Sequence, residues 1–258
     1  DLREDVGAMG TELEKFAPGG RIAEGYAAFL QVSQRLHEVS ERFFFWKPVE
    51  SLRDTSDLRR NLSAATLSDV LSLRMGATVA GTVRRRVHDA RVAQMLDHFI
   101  QYVGSSPYGA PAVLCAIAHM QVGDGVWYPK GGTRAVPAAL SRLAEQLGVA
   151  IRTGGDVRRL LIGDGRVQGL EMADGERIAL GAVVSNMDAV RTYQELVGGA
   201  PAASFARGRR REPACSGVVL YLGLDRGYEH LQHHNFVFSR DAEEEFDWIY
   251  HRGEPAPD

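Results

Sequence analysis

The stretch VESLRDT places Arg53 beside Asp54, just beyond the aromatic run FFFWKP at Phe43–Pro48. A carboxyl next to a guanidinium supports two readings. At a helix start it is a surface ion pair, worth about 0–1 kcal/mol. Against an apolar pocket, burial would raise the carboxyl pKa while the arginine lowered it, leaving a group tuned to hold or release a proton. His230, His233 and His234, three and four apart, could present two imidazoles to a metal from one helical face. Their flanks, YEHLQHHNFVF, turn into an apolar strand pattern, which argues against a metal. Lys130-Gly131-Gly132 opens an amphipathic helix, as phosphate-cradling loops do. No glycine sits five residues before Gly131, however, and no Gly-Lys-Ser/Thr order occurs. As a bare motif it reads as a tight turn into a helix. No GxGxxG follows a strand pattern.

Other charged and aromatic runs are less specific. Arg84–Arg86 and Arg209–Arg211 read as solvated faces, or as contacts to an anionic membrane surface. Phe43–Trp46 reads as core, or as the lining for a greasy substrate. The 30 basic and 33 acidic residues leave a net charge of −3, which gives no pull toward nucleic acid. Cys115 and Cys215 are isolated, so neither a disulfide framework nor a cysteine zinc site is expected, and a reducing compartment is the default. No apolar run approaches the ~20 residues that span a bilayer.

The elements that would position these groups follow from periodicity. Ile22, Tyr26, Phe29, Leu30, Leu36 and Phe43 recur at helical spacing, with Pro48 as the stop. Further helices are expected at Leu67–Leu73, Thr78–Val87, Arg91–Tyr102 and Ala112–Met120, with a turn at Ser105–Gly109. Thr133 can cap a helix with one apolar stripe, Val136, Leu140, Leu143 and Leu147, stopped by Gly148. Short strands then follow at Val157–Ile162, Arg166–Met172 and Glu176–Leu180, separated by Gly-Asp-Gly and Asp-Gly turns, as in a β-meander. Ala182–Ser185, Gly217–Leu224 and Phe236–Ser239 read as further strands, and Ala242–Tyr250 as an acidic helix. The expected class is mixed α/β (α+β).

Several ordered stretches resemble the bacterial phytoene desaturase (carotenoid desaturase) family of flavin amine-oxidase-like enzymes. They are Gly104-Ser-Ser-Pro-Tyr108 with Ala110-Pro-Ala, Gly125-Val-Trp-Tyr-Pro-Lys-Gly-Gly, and Val183-Val-Ser-Asn-Met-Asp. Thr192-Tyr193, Leu220-Tyr-Leu-Gly-Leu-Asp225 and the His233-His234 pair continue the series. The match in order and spacing runs over nearly the whole chain.

The resemblance implies an internal piece of a longer flavoprotein, with the GxGxxG segment upstream of Asp1 and a second flavin-contacting segment further on. It implies a mostly helical substrate- and membrane-facing domain over 1–130. The central part of an FAD-binding domain would follow over 131–198, and a substrate-domain strand and helix over 199–258. It places Val157, Asn186, Gly131 and Gly132 near an FAD, and Trp127, Tyr128 and Tyr108 toward a carotenoid or other polyene lipid. Arg53 and Asp54 coincide with a pair at the same place in the family, which favours the proton-handling reading. No metal is implied. The reaction implied is desaturation of a C–C bond next to a polyene, by hydride transfer to flavin plus proton loss, with a quinone or oxygen as electron acceptor. The enzyme would sit peripherally on a membrane, facing the cytoplasm. A polyene saturase or isomerase, a flavin amine oxidase, or an inactive apo fragment that binds lipid are the alternatives.

Overall fold

The computed structural model describes residues 4–19, 21–45, 76–207, 217–232 and 234–257. Two compact units emerge: residues 1–127 with 214–258, and residues 128–213.

The first unit is a helical assembly. Helix α1 (Val6–Phe16) starts at Asp5, whose carboxylate accepts from the Ala8 N–H at 2.7 Å, and buries Met9 and Leu13. Helix α2 (Ile22–Ser40) buries Ile22, Tyr26, Phe29, Leu30, Leu36 and Val39, the periodic stripe of its sequence, and passes into a π-helical turn at Glu41–Phe45. Trp46 and Pro48 lie outside the described residues, as does the helix expected at Leu67–Leu73. Helix α3 (Val79–Arg84) is capped by Thr78, and α4 (Ala90–Asp97) by Asp89, whose side chain accepts from the Arg91 and Val92 N–H groups. Instead of running straight to Tyr102, α4 tightens into a 3₁₀ turn, His98–Val103, closed by left-handed Gly104. A second 3₁₀ turn, Ala112–Cys115, leads into α5 (Ala116–Val122).

Two contacts tie α2 to distant chain. Buried Ser33 donates its hydroxyl to the Cys115 carbonyl at 2.6 Å and accepts from the His119 N–H at 2.7 Å. Ser33→Ala is therefore expected to cost about 1–3 kcal/mol, read as a drop in the denaturant midpoint, because both partners lose their bond in a buried site. At Gly25, a Cβ would collide with the Arg86 carbonyl oxygen, so α2 has no room for any side chain where it crosses the link after α3.

The second unit begins with α6 (Ala135–Gln146). It starts beyond the cap expected at Thr133, because the Gly132 and Thr133 carbonyls accept from Ala135 and Val136 in a turn, at 3.0 and 3.1 Å. Strands β1 (Val157–Gly163), β2 (Arg166–Met172) and β3 (Arg177–Ala179) form an antiparallel meander in that order. Asp164 and Gly165 both take positive φ, 52° and 74°, as a two-residue turn matched to strand twist requires. A short α7 (Ala189–Arg191) runs into π-helical Thr192–Val197, and α8 (Gly199–Arg207) follows.

Three expected strands are not formed. Residues 182–185, 217–224 and 236–239 carry no ladder pairing, although their β-branched and aromatic content is high. Strand propensity is realised only against a neighbouring strand, and none lies beside them among the described residues. Phe236 and Phe238 instead flank the His98 ring, with centroids 4.4 and 5.8 Å away. The acidic helix forms as α9 (Ala242–Asp247), capped by Asp241, and ends in a π turn, Trp248–Arg252.

Candidate functional site

A buried polar constellation of the first unit lies where α3 and α4 meet. Asp97, in the apolar stripe of α4 with Val92, Ala93 and Leu96, has a side chain only 1% exposed. Arg84 closes α3 and donates Nη1 to Asp97 Oδ2 at 2.7 Å and Nη2 to the Tyr108 hydroxyl at 2.9 Å. The guanidinium carbon lies 5.1 Å from the Tyr108 ring centroid, and Phe246 meets that ring edge-on at 6.2 Å. Asp97 Oδ1 is buried with no hydrogen-bond partner among the described residues.

Burial governs the protonation states here. Removal from water pushes the Asp97 carboxyl up to about 6, against the opposing pull of Arg84. The Tyr108 phenol is pushed up to about 12, again by burial, with Arg84 opposing. Tyr108 is therefore a neutral phenol at physiological pH. It accepts from Arg84, so its own hydroxyl proton is what it can offer to a further group. Asp97 is the group of this network that changes charge near neutrality.

In the second unit, Glu171 on β2 accepts from Arg159 of β1 at 2.8 Å and Arg177 of β3 at 3.0 Å, across adjacent strands. These bonds, Arg159 first, hold its carboxyl below the usual range. Beside this triad a groove of roughly 660 Å³ opens between β1 and the end of the π-helical turn, with Leu160, Ile162, Leu196 and Val197 in its walls.

The residues singled out in the sequence are placed as follows. Arg53 and Asp54 lie outside the described residues, so their pairing stays a proposal. Tyr108 is half-buried in the Arg84 network. Trp127 and Tyr128 are exposed. Gly131 and Gly132 both take left-handed backbone, φ 91° and 85°. A Cβ at Gly131 would meet nothing within 4 Å, and one at Gly132 would lie 3.4 Å from the Tyr128 hydroxyl. This bare, open backbone fits the close approach of a flat ring system such as a flavin. Val157 opens β1 opposite Met172, and Asn186 is exposed on a loop where the Ser185 and Thr192 hydroxyls lie 2.9 Å apart. Among the described residues, no hydrogen bond or ring contact joins Gly131, Gly132, Val157 and Asn186. His230 meets the Tyr228 ring edge-on at 6.0 Å, and His234 stacks on Phe236 at 6.3 Å. His233 lies outside the described residues.

Neither the inward turn of Arg84 nor the burial of Asp97 is announced by the sequence. Arg84 was hidden in the run Arg84–Arg86, which reads as a solvated face. The usable signal was Asp97, a carboxylate falling on the apolar face of a capped helix, since such a group is rarely buried without a partner.

Residues 3–251 match the flavin containing amine oxidoreductase family. The chain is 35% identical over 250 residues to 4,4'-diapolycopene oxygenase of Methylomonas sp, covering 97% of this chain and 49% of that protein. It is 35% identical over 243 residues to the zeta-carotene-forming phytoene desaturase of Myxococcus xanthus, covering 94% of this chain and 45% of that protein. Identity to 4,4'-diaponeurosporene oxygenase of Staphylococcus haemolyticus (strain JCSC1435) is 33% over 223 residues, with coverage of 86% and 43%. The chain thus spans about half the length of the curated relatives it matches. With a match running through both units, the chain belongs to the flavin containing amine oxidoreductase family.

Proposed function

We propose that the protein is an FAD-dependent oxidoreductase acting on carotenoids, and that this chain is the central portion of a phytoene-type desaturase. The observation that carries this reading is similarity sustained along 94–97% of the chain to proteins named for carotenoid desaturation and oxygenation. Desaturation removes two hydrogens from adjacent carbons, one as hydride and one as a proton. A bound flavin supplies the two-electron acceptor. The chain's own residues then have three tasks. Gly131 and Gly132 would leave backbone open to the ring system, Val157 would offer its main chain to the adenine end, and Asn186 would be a further residue on the flavin side. Trp127, Tyr128 and Tyr108 supply aromatic surface to the polyene, with the Tyr108 hydroxyl held in place by Arg84. Asp54, tuned by Arg53, receives the proton from the carbon next to the one that gives up hydride.

A polyene is almost insoluble in water, so the substrate is taken from a membrane surface by a peripherally bound, cytoplasm-facing protein, with a quinone or oxygen as the final acceptor. No helix among the described residues is long and apolar enough to cross a membrane.

Oxygenation of a polyene is a second reading, favoured by the two relatives named as oxygenases. One assay separates the two. The full-length protein is incubated with FAD in liposomes carrying phytoene or 4,4'-diapolycopene, and products are followed by absorption and mass. New long-wavelength bands with loss of two hydrogens per step support desaturation. Mass gain by oxygen with an unchanged number of C=C bonds supports oxygenation. No product from either polyene counts against both.

A further inference from the structure

The link that follows α5 carries an acid between two glycines, Gly123-Asp124-Gly125. Asp124 reaches back to α2. Its Oδ2 lies 3.6 Å from His37 Nε2, beyond hydrogen-bond range but close enough for an ion pair whenever the imidazole is charged. The His37 side chain is only 12% exposed, that of Asp124 60%. Two further rings meet His37: Phe45 edge-on, with centroids 5.6 Å apart, and His119 of α5 at 5.1 Å. The His119 ring in turn lies against the Gly123 backbone, where a Cβ would come within 2.5 Å of its Cε1. On α2 itself, Arg35 and Glu38 pair at 4.0 Å, Arg42 donates to the Glu38 carbonyl at 3.1 Å, and Glu41 is exposed one turn beyond His37. No group of three His, Cys, Asp or Glu side chains among the described residues is arranged to hold a metal ion.

Two residues further on, the link carries Trp127. Gly125 takes φ 83°, and a Cβ on it would lie 3.9 Å from Trp127 Nε1, so the indole folds back over the neighbour of Asp124. Trp127 is otherwise 88% exposed. Where Asp124 is held therefore decides where the indole stands. An imidazole gains its charge on the acid side of neutrality, while a carboxylate keeps its own down to about pH 4. Attraction between the two is strongest near about pH 5 and fades above neutrality.

We propose that His37 and Asp124 are positioning residues for the polyene: a proton on His37 draws Asp124 in, and with it sets the Trp127 indole that meets the substrate. The substrate half of this rests on the carotenoid reading given above; the tether itself does not.

The full-length protein is labelled with 5-fluorotryptophan, and the Trp127 fluorine signal is identified by its loss in Trp127→Phe. Between pH 8 and pH 5 the signal is expected to move reversibly, with about a two- to fivefold change in the ratio of two positions, the bias that a partly exposed ion pair supplies. Asp124→Asn alters an exposed side chain in a link and should make the signal independent of pH, as should His37→Gln; Asp124→Glu should restore the movement. A parent signal that stays still, or one that still moves in Asp124→Asn or His37→Gln, overturns the tether. Liposomes carrying 4,4'-diapolycopene, added at both pH values, test the substrate half. Binding that shifts the Trp127 signal and is about two- to fivefold tighter at pH 5, where the indole is held, supports the proposal, provided Asp124→Asn removes the difference. Equal binding at both pH values overturns the positioning role and leaves the carotenoid reading intact. Polyene that never perturbs Trp127 overturns that residue's contact with substrate, whatever the tether does.

Discussion

Arg84→Ala is expected to cost about 2 kcal/mol more stability near pH 7.5 than near pH 5, where what is lost is its pH-independent contact with Tyr108. The asymmetry comes from Asp97. Its folded pKa of about 6 lies above the ordinary carboxyl value of 3.8, so folded protein binds this proton more tightly than unfolded chain does. Stability from this group is complete below the unfolded pKa and is lost as pH rises through about 6, by roughly 3 kcal/mol for a two-unit shift. Removing Arg84 takes away the cation paired with the buried carboxylate. At pH 7.5 the carboxyl must then either stay ionised without a partner or take up a proton against bulk pH, and protonation caps the penalty at about 2 kcal/mol more. At pH 5 the group is already protonated, so the arginine matters little to it. Asp97→Asn should erase the slope between pH 5 and pH 7.5 and with it the pH dependence of the Arg84→Ala effect. Denaturant midpoints across that range for the parent, both single variants and the double variant decide the matter. An Arg84→Ala cost that is the same at both ends would refute the assignment.

The second large effect is steric. Gly25→Ala should destabilise by about 2–3 kcal/mol, because the new Cβ would collide with the Arg86 carbonyl oxygen and one of two packed backbones would have to move. The change would otherwise help, since alanine is the better helix former by about 1 kcal/mol. Gly10→Ala is the matched control. In the middle of α1, a Cβ there would meet only the Ala23 Cβ at an ordinary 3.5 Å, so that substitution should stabilise by about 0.5–1 kcal/mol. Thermal or chemical melts of the two variants should move in opposite directions. A Gly25→Ala protein as stable as the parent would show that α2 and the link after α3 do not cross as described.

What could be read in advance was local. The helices expected over Thr78–Val87 and Arg91–Tyr102 follow from spacing within each segment, and Asp164-Gly165 makes its turn from its own backbone preferences. The stripe of α2 was visible because burial follows its 3.6-residue period. Features that depend on a partner far along the chain were not readable. Arg84 finds Asp97 across the α3–α4 turn and Tyr108 a further stretch away, and nothing in a run of three arginines says which one turns inward. The 217–224 segment has every mark of a strand except a neighbour, and periodicity describes a segment rather than its partner. The acid–base pair at Arg53 and Asp54 rests on resemblance and falls outside the described residues.

The contact between Gln94 and Ser239 sets a timetable for this protein in the cell. Gln94 Nε2 donates to the Ser239 carbonyl at 3.0 Å across 145 residues, and Ser239 in turn donates to Glu245 at 2.6 Å. The helical unit therefore includes a closing piece that leaves the ribosome only after the whole of residues 128–213. At roughly 5–20 residues per second, α1–α5 wait on the order of ten seconds for it. During that interval the meander, whose pairing is entirely between neighbours, can form while the helical unit stays open on the α4 side. Order of folding thus runs against order of synthesis: the inserted unit matures first, and the first-made helices last.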